Sequence, residues 1–212
     1  MTQQERMNQV IAKLELCYPD SACALQSEGD PFRLLVMAIL SAQCTDARVN
    51  KISPDLFARF PDAAAMASGE VSEIEELIRS CGLYRSKAKN LSLCAKRLVE
   101  VYGGKVPSAM EDLLTLPGVG RKVANLIRGD VFGLGGIVAD THCIRITNLL
   151  GFCNSDDPKK VEFTLDPLVP KDKQSDFCHR LVQYGRDVCI ARRPMCEECT
   201  LNELCKHYGE QK

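Results

Sequence analysis

Apolar residues recur three and four positions apart along almost the whole chain, and no stretch sustains the two-residue alternation of a half-buried strand. Met7, Val10, Ile11 and Leu14 predict an amphipathic helix over Gln3 to Cys17. Pro19 to Asp30 is rich in turn formers and reads as a loop. Pro31 suits a first helical position, and Phe32 to Ala42 behind it is apolar almost all round, as a helix in the middle of a core must be. Val49, Ile52, Leu56 and Phe57 stripe a helix over Asp46 to Phe60, in which Pro54 predicts a break. Short segments at Ala63 to Ser68 and Val71 to Ser80 lead to a turn at Cys81-Gly82-Leu83-Tyr84. A long helix then runs to about Tyr102, closed by Gly103 and Gly104. Its inward face is Leu91, Ala95 and Leu98, and its expected basic exterior is Arg85, Lys87, Lys89, Lys96 and Arg97.

Ser108 and Glu111 have the spacing of a capping box and predict a short helix ending near Thr115. The turn Leu116-Pro117-Gly118-Val119-Gly120 and a helix from Arg121 to Val131 follow, making helix, hairpin, helix. Gly133, Gly135 and Gly136 end that second helix, and Asp140 is placed to cap another running to about Leu150. Gly151 to Pro158 reads as a linker before helices near Lys159 to Leu168 and Ser175 to Gly185. The fold class is all-α, without a repeat of solenoid length.

The hairpin carries the first chemistry. Gly118 and Gly120 suit a tight turn whose amides point outward at a helix start, a phosphate-binding geometry. Arg121 and Lys122 then occupy the first helical turn, where the macrodipole disfavours positive charge. A broken local rule of this kind marks functional sites. A lysine amine is a useful nucleophile at neutral pH only when its pKa is lowered, and a helix N-terminus with Arg121 beside it pushes that way. An interhelical turn followed by an ordinary surface lysine is the plainer alternative, and a Gly-x-Gly alone does not exclude it.

The chain holds twelve cysteines. With no secretory segment at the polar N-terminus, a disulfide framework is not expected. Cys17, Cys23, Cys44, Cys81, Cys94, Cys143, Cys153 and Cys178 are dispersed and read as small hydrophobes. Cys189-x6-Cys196-x2-Cys199-x5-Cys205 is crowded near the C-terminus. Four thiols so close in sequence can form an all-sulfur site for zinc or an iron–sulfur cluster, although zinc sites usually show two C-x-x-C pairs. Arg192 and Arg193 lie in the loop between the first two of these cysteines, which would hold them for phosphate contact. A formal net charge of −1 excludes a bulk polycation, so any nucleic-acid partner must meet a local positive field. The longest apolar run, Leu34 to Leu40, is too short to span a bilayer, and a cytoplasmic protein without a membrane partner is expected.

Leu116-Pro117-Gly118-Val119-Gly120-Arg121-Lys122, Asp140-Thr141-His142, Ser41-Ala42-Gln43-Cys44-Thr45-Asp46, Gly82-Leu83-Tyr84-Arg85-Ser86-Lys87-Ala88 and the C-terminal cysteines together resemble the helix-hairpin-helix DNA glycosylase superfamily, and within it the iron–sulfur endonuclease III family. The resemblance runs from Pro31 to Cys205. It implies two helical lobes with a DNA cleft between them: a contiguous one over 24–132, holding the hairpin at about 108–132, and a discontinuous one from 1–23 plus 133–212. The second would carry a [4Fe–4S] cluster loop over 189–205, with Cys189, Cys196, Cys199 and Cys205 as ligands.

The same resemblance implies roles. Lys122 would attack the sugar C1′, displace a damaged base and form a Schiff base, after which β-elimination cuts the strand. Asp140 would cap its helix and also assist base departure and lysine activation. Gln43 and Leu83 match the positions that fill the hole left by a flipped base and wedge the opposite strand. Gly118, Val119, Gly120, Arg121, Arg192 and Arg193 would contact DNA, and His142 would be structural. Ala139 departs from the valine or proline usual before the aspartate, which implies a packing difference only.

The expected activity is that of a bifunctional DNA glycosylase and abasic-site lyase of base excision repair. Its partner would be duplex DNA containing oxidised pyrimidines or abasic sites, and the enzyme would be a monomer associated with the nucleoid. A monofunctional adenine-mismatch glycosylase is the nearest rival. That chemistry needs a protonated carboxylic acid in the buried helix near Pro31 to Ala42, which has none, and lacks the hairpin lysine. A non-enzymatic iron–sulfur protein that binds DNA or senses redox state is the alternative of a different class.

Overall fold

The computed structural model describes residues 1–210. Its elements are α1 (Gln3–Cys17), α2 (Pro31–Leu40), α3 (Asp46–Arg59), α4 (Ala63–Ser68), α5 (Val71–Leu77), α6 (Tyr84–Tyr102), α7 (Met110–Leu113), α8 (Arg121–Asp130), α9 (Thr141–Leu149), α10 (Pro158–Leu165), α11 (Gln174–Asp187) and α12 (Lys206–Gly209), with 3-10 turns at Lys171–Lys173 and Asn202–Leu204. There is no strand among the described residues, and no helix is long and apolar enough to cross a membrane. The chain forms two compact units, Ala24–Phe132 and Met1–Cys23 with Gly133–Lys212.

Side-chain caps start most of the longer helices. Thr2 and Glu5 make a reciprocal capping box on α1. Asp30, ahead of Pro31, accepts from the Arg33 amide at 2.8 Å, and Thr45, Asp62, Asp140 and Asp157 cap α3, α4, α9 and α10 in the same way.

In the Ala24–Phe132 unit α2 is the centre. Phe32 and Leu34 through Leu40 are buried, and α3, α6 and α8 pack around them. Each of these side chains larger than alanine contributes about 1.5–3 kcal/mol on burial. In the other unit Met7, Val10, Ile11 and Leu14 of α1 meet α11, which buries Phe177, Leu181 and Tyr184 and also packs on α9.

Four expectations from the sequence need correction. Pro54 lies inside α3 without ending it. Val49, Ser53, Leu56 and Phe57 stay buried on both sides of the proline, and that packing outweighs the roughly 3 kcal/mol interior cost. α5 stops at Leu77, with Ile78 as its C-cap. Ser108 and Glu111 do not form a capping box: α7 begins one position later behind Ala109, with no side-chain cap. Lys87 is not part of a basic exterior but is 4% exposed, because it stands one turn before Leu91 on the inward face of α6.

Candidate functional site

The two hairpin glycines have different reasons to be there. Gly118 has φ of +82°, and a Cβ on it would meet Asn90 Cβ at 3.1 Å and Ile39 Cγ2 at 3.3 Å. The left-handed turn favours glycine there, and a larger side chain would also have to push Asn90 and Ile39 aside. Gly120 has φ of −100°, which any residue adopts, and a Cβ there would meet nothing within 4 Å. The fold does not require glycine at 120. What it leaves is open backbone directly before α8, a helix that starts with no side-chain cap. Val119 is buried, and its amide donates to the Leu116 carbonyl at 3.1 Å, so it anchors the turn. The amide donors expected to face outward therefore fall on the glycines beside it, for neither has a backbone acceptor among the described residues. Arg121 is half-buried and Lys122 exposed in the first turn of α8.

Asp140 begins α9 and accepts a hydrogen bond from the Cys143 amide at 2.7 Å. It is partly exposed, whereas Ile137, Val138 and Ala139 before it are buried and fix where it emerges. Cys143 lies beneath it, hydrogen-bonded to Cys178, and that contact together with burial pushes the Cys143 thiol up. His142 packs against Gly185 of α11 so closely that a Cβ on that glycine would fall 2.3 Å from His142 Nδ1. The same nitrogen lies 3.3 Å from Arg145 Nη2, which gives His142 a packing role.

Arg145 connects α9 to the cysteine-rich segment. Its Nη1 donates to the Cys189 carbonyl and lies 3.4 Å from Cys189 Sγ. Cys189, Cys196, Cys199 and Cys205 line one cavity together with Leu149, Val188, Pro194 and Met195. The thiols sense one another: burial raises Cys189 and Cys196, Arg145 pulls Cys189 back, and Cys199 and Cys205 push both further up. Tyr184 meets Cys199 Sγ at 2.7 Å, and burial with this thiol contact raises its hydroxyl. The donor set is all sulfur, which fits an iron–sulfur group as well as zinc. Between the first two cysteines the Met195 amide donates to the Val188 carbonyl at 3.0 Å, closing a loop that leaves Arg192 and Arg193 exposed.

Gln43 and Leu83 occupy the left-handed region, with φ of +53° and +58°, and Leu83 is 59% exposed. Each costs roughly 1–2 kcal/mol to hold there. Backbone strain of this kind clusters at ligand sites but is not confined to them, since Glu28 holds a φ of +56° as well. Their turns touch, since a Cβ on Gly82 would lie 3.3 Å from the Gln43 carbonyl oxygen. Sequence reasoning missed Lys87, Arg145 and Tyr184. Only Lys87 left a signal, its register with Leu91, because the partners of the other two are distant in the chain.

Residues 36–171 match the model of the HhH-GPD superfamily base excision DNA repair protein. The chain belongs to that superfamily. Within it the similarity is to endonuclease III: 45% identity to the protein of Synechocystis sp. over 96% of this chain and 93% of that one, and 40% to that of Bacillus subtilis over 92% and 93%. A trapped endonuclease III–DNA covalent intermediate, an estranged-adenine complex, superposes with a TM-score of 0.91 at 38% identity over 100% of this chain and 99% of that one. A thermostable thymine-DNA glycosylase superposes at 0.87 with 25% identity, over 97% and 98%. As an HhH-GPD protein of the endonuclease III type, the chain is a base excision repair DNA glycosylase with abasic-site lyase activity.

Proposed function

We propose that this enzyme removes oxidised pyrimidines from duplex DNA with Lys122 as nucleophile. The Lys122 amine attacks the sugar C1′ and displaces the base, and the resulting Schiff base permits β-elimination that cuts the strand. Asp140 stabilises the positive charge that develops on the sugar. The observation that carries this reading is the start of α8, uncapped and preceded by a glycine the fold does not need. Backbone at Gly118 and Gly120, with the cation of Arg121, holds a phosphate of the lesion strand there, which brings the damaged sugar to the next residue, Lys122. Arg192 and Arg193 add phosphate contacts from their loop. Gln43 and Leu83 enter the base stack when the lesion flips out.

Cys189, Cys196, Cys199 and Cys205 hold a [4Fe–4S] cluster in this proposal. When bound, the cluster supplies a structural tie among four thiolates and keeps the Arg192–Arg193 loop in shape. A monomeric enzyme at the nucleoid of the cytoplasm belongs to the same reading.

Borohydride trapping on duplexes carrying thymine glycol or an abasic site tests it. The native chain is expected to give a covalent adduct on both and Lys122→Gln none. Equal trapping by the two proteins would sink the assignment of the nucleophile.

A further inference from the structure

We propose that Cys44 and Cys81 are a disulfide site that closes under a hydroperoxide and, by drawing two DNA-facing turns together, switches off lesion engagement. The effect on DNA rests on the reading of Gln43 and Leu83 given above, whereas bond formation does not. Cys44 follows the left-handed Gln43 directly, and Cys81 stands two residues before the left-handed Leu83. The thiols already share a hydrogen bond. The backbones beside them also meet, Gly82 lying against the Gln43 carbonyl. Lys87 then ties the start of α6 to the end of α2, with Nζ donating to the Leu40 carbonyl at 2.8 Å. A disulfide needs its two Cβ atoms within about 4.5 Å of each other, and the meeting of the Gly82 and Gln43 backbones brings the two segments to contact.

Access sets the order of events. Cys44 is partly exposed and Cys81 is 1% exposed. Burial and the Cys44 contact raise the Cys81 thiol to about 11, although Lys87 and Arg48 draw it back. Oxidation therefore begins at Cys44. Its thiolate attacks one oxygen of hydrogen peroxide, the O–O bond breaks, and with one proton taken up the products are a sulfenic acid and water. The Cys81 sulfur then attacks the sulfenic sulfur, the S–O bond breaks, and the Cys81 proton leaves with the hydroxyl as a second water. Two thiols have been oxidised and one peroxide reduced. Cys143 and Cys178 form another hydrogen-bonded pair, but at 0% and 2% exposure no oxidant reaches them.

The thiol contact contracts on oxidation to a bond of about 2.05 Å. Gln43 and Leu83 ride on the contracting segments, so their spacing shifts.

The experiment uses the full chain with its cluster, titrated with hydrogen peroxide, alkylated, digested and mapped by mass, with borohydride trapping on an abasic duplex measured in parallel. A Cys44–Cys81 cross-linked peptide, lighter by two hydrogens, is expected to appear as trapping falls about tenfold. Dithiothreitol restores both. Cys44→Ser and Cys81→Ala trap as the native chain does before treatment and keep that activity at the same dose. If Cys81→Ala fails to fold, Cys44→Ser, altered at a partly exposed position, carries the comparison. Absence of the cross-link, a cross-link with undiminished trapping, or equal loss of activity in Cys44→Ser each overturns the proposal. Undiminished lesion binding by Gln43→Ala and Leu83→Ala would instead overturn the stacking roles, and the cross-linked peptide is read independently of that.

Discussion

Lys87 Nζ donates a hydrogen bond to the carbonyl oxygen of Leu40, the last residue of α2, at 2.8 Å, with the lysine 4% exposed. A helix end leaves carbonyls unmet and carries partial negative charge, so an ammonium there satisfies both. Lys87→Met keeps the stem and removes the donor. A loss of about 1–3 kcal/mol is expected, read as a lower denaturant midpoint with unchanged slope. Lys89→Met, at an exposed site on the same helix, is the comparison and should stay within about 0.5 kcal/mol of the native chain.

The hairpin glycines separate fold from binding. Gly118→Ala must force a side chain into the left-handed region and against Asn90 and Ile39, and its melting temperature is expected to fall. Gly120→Ala meets open space, so stability should be unchanged while affinity for a lesion duplex weakens about tenfold, the loss of roughly one hydrogen bond to a charged group. Equal affinity of Gly120→Ala and the native chain would remove the phosphate from that position.

Asp140 has a cap and a charge that mutation can part. Asparagine also accepts from the Cys143 amide, so Asp140→Asn should fold as stably as the native chain yet lose most base release. Asp140→Ala loses the cap as well, about 1 kcal/mol of stability. Single-turnover release from a thymine glycol duplex, beside thermal melts, distinguishes the variants. Full turnover in Asp140→Asn would leave the residue a cap alone.

Arg145 ties the Cys189 carbonyl and sulfur to α9. Arg145→Met removes that donor and the cation that lowers Cys189. The variant is expected to hold less iron per chain after purification and to lose the rest faster to a chelator. An iron content equal to the native chain's would confine Arg145 to packing.

Elements whose evidence is local were legible. α1 and α9 run close to the ranges their apolar spacing and caps predict, and the four C-terminal cysteines announce a sulfur site by crowding alone. Elsewhere the reading failed where a distant neighbour decides. Pro54 is carried through α3 by packing on both sides, and Ser108 loses the cap to a helix starting one residue later. The charge of Lys87 argues for the surface, whereas its register with Leu91 points inward, and the register wins.

The site divides in the same way. The hairpin from Leu116 to Lys122 and the run from Cys189 to Cys205 are contiguous, and short-range spacing carries their chemistry. Lys122 and Asp140 acquire roles from the family resemblance rather than from spacing, since each has an ordinary alternative as a surface lysine or a helix cap.

By itself the sequence determined an all-helical chain, a glycine hairpin before a basic helix start and a sulfur donor set, because helical period, turn chemistry and ligand crowding act over a few residues. Only the tertiary structure decided that Gly118 takes a left-handed φ against Asn90 and Ile39 while Gly120 is left open, that the four C-terminal cysteines line one cavity, and that Cys44 meets Cys81. Those are distances between segments brought together by burial of α2 and α11, and chain order does not contain them.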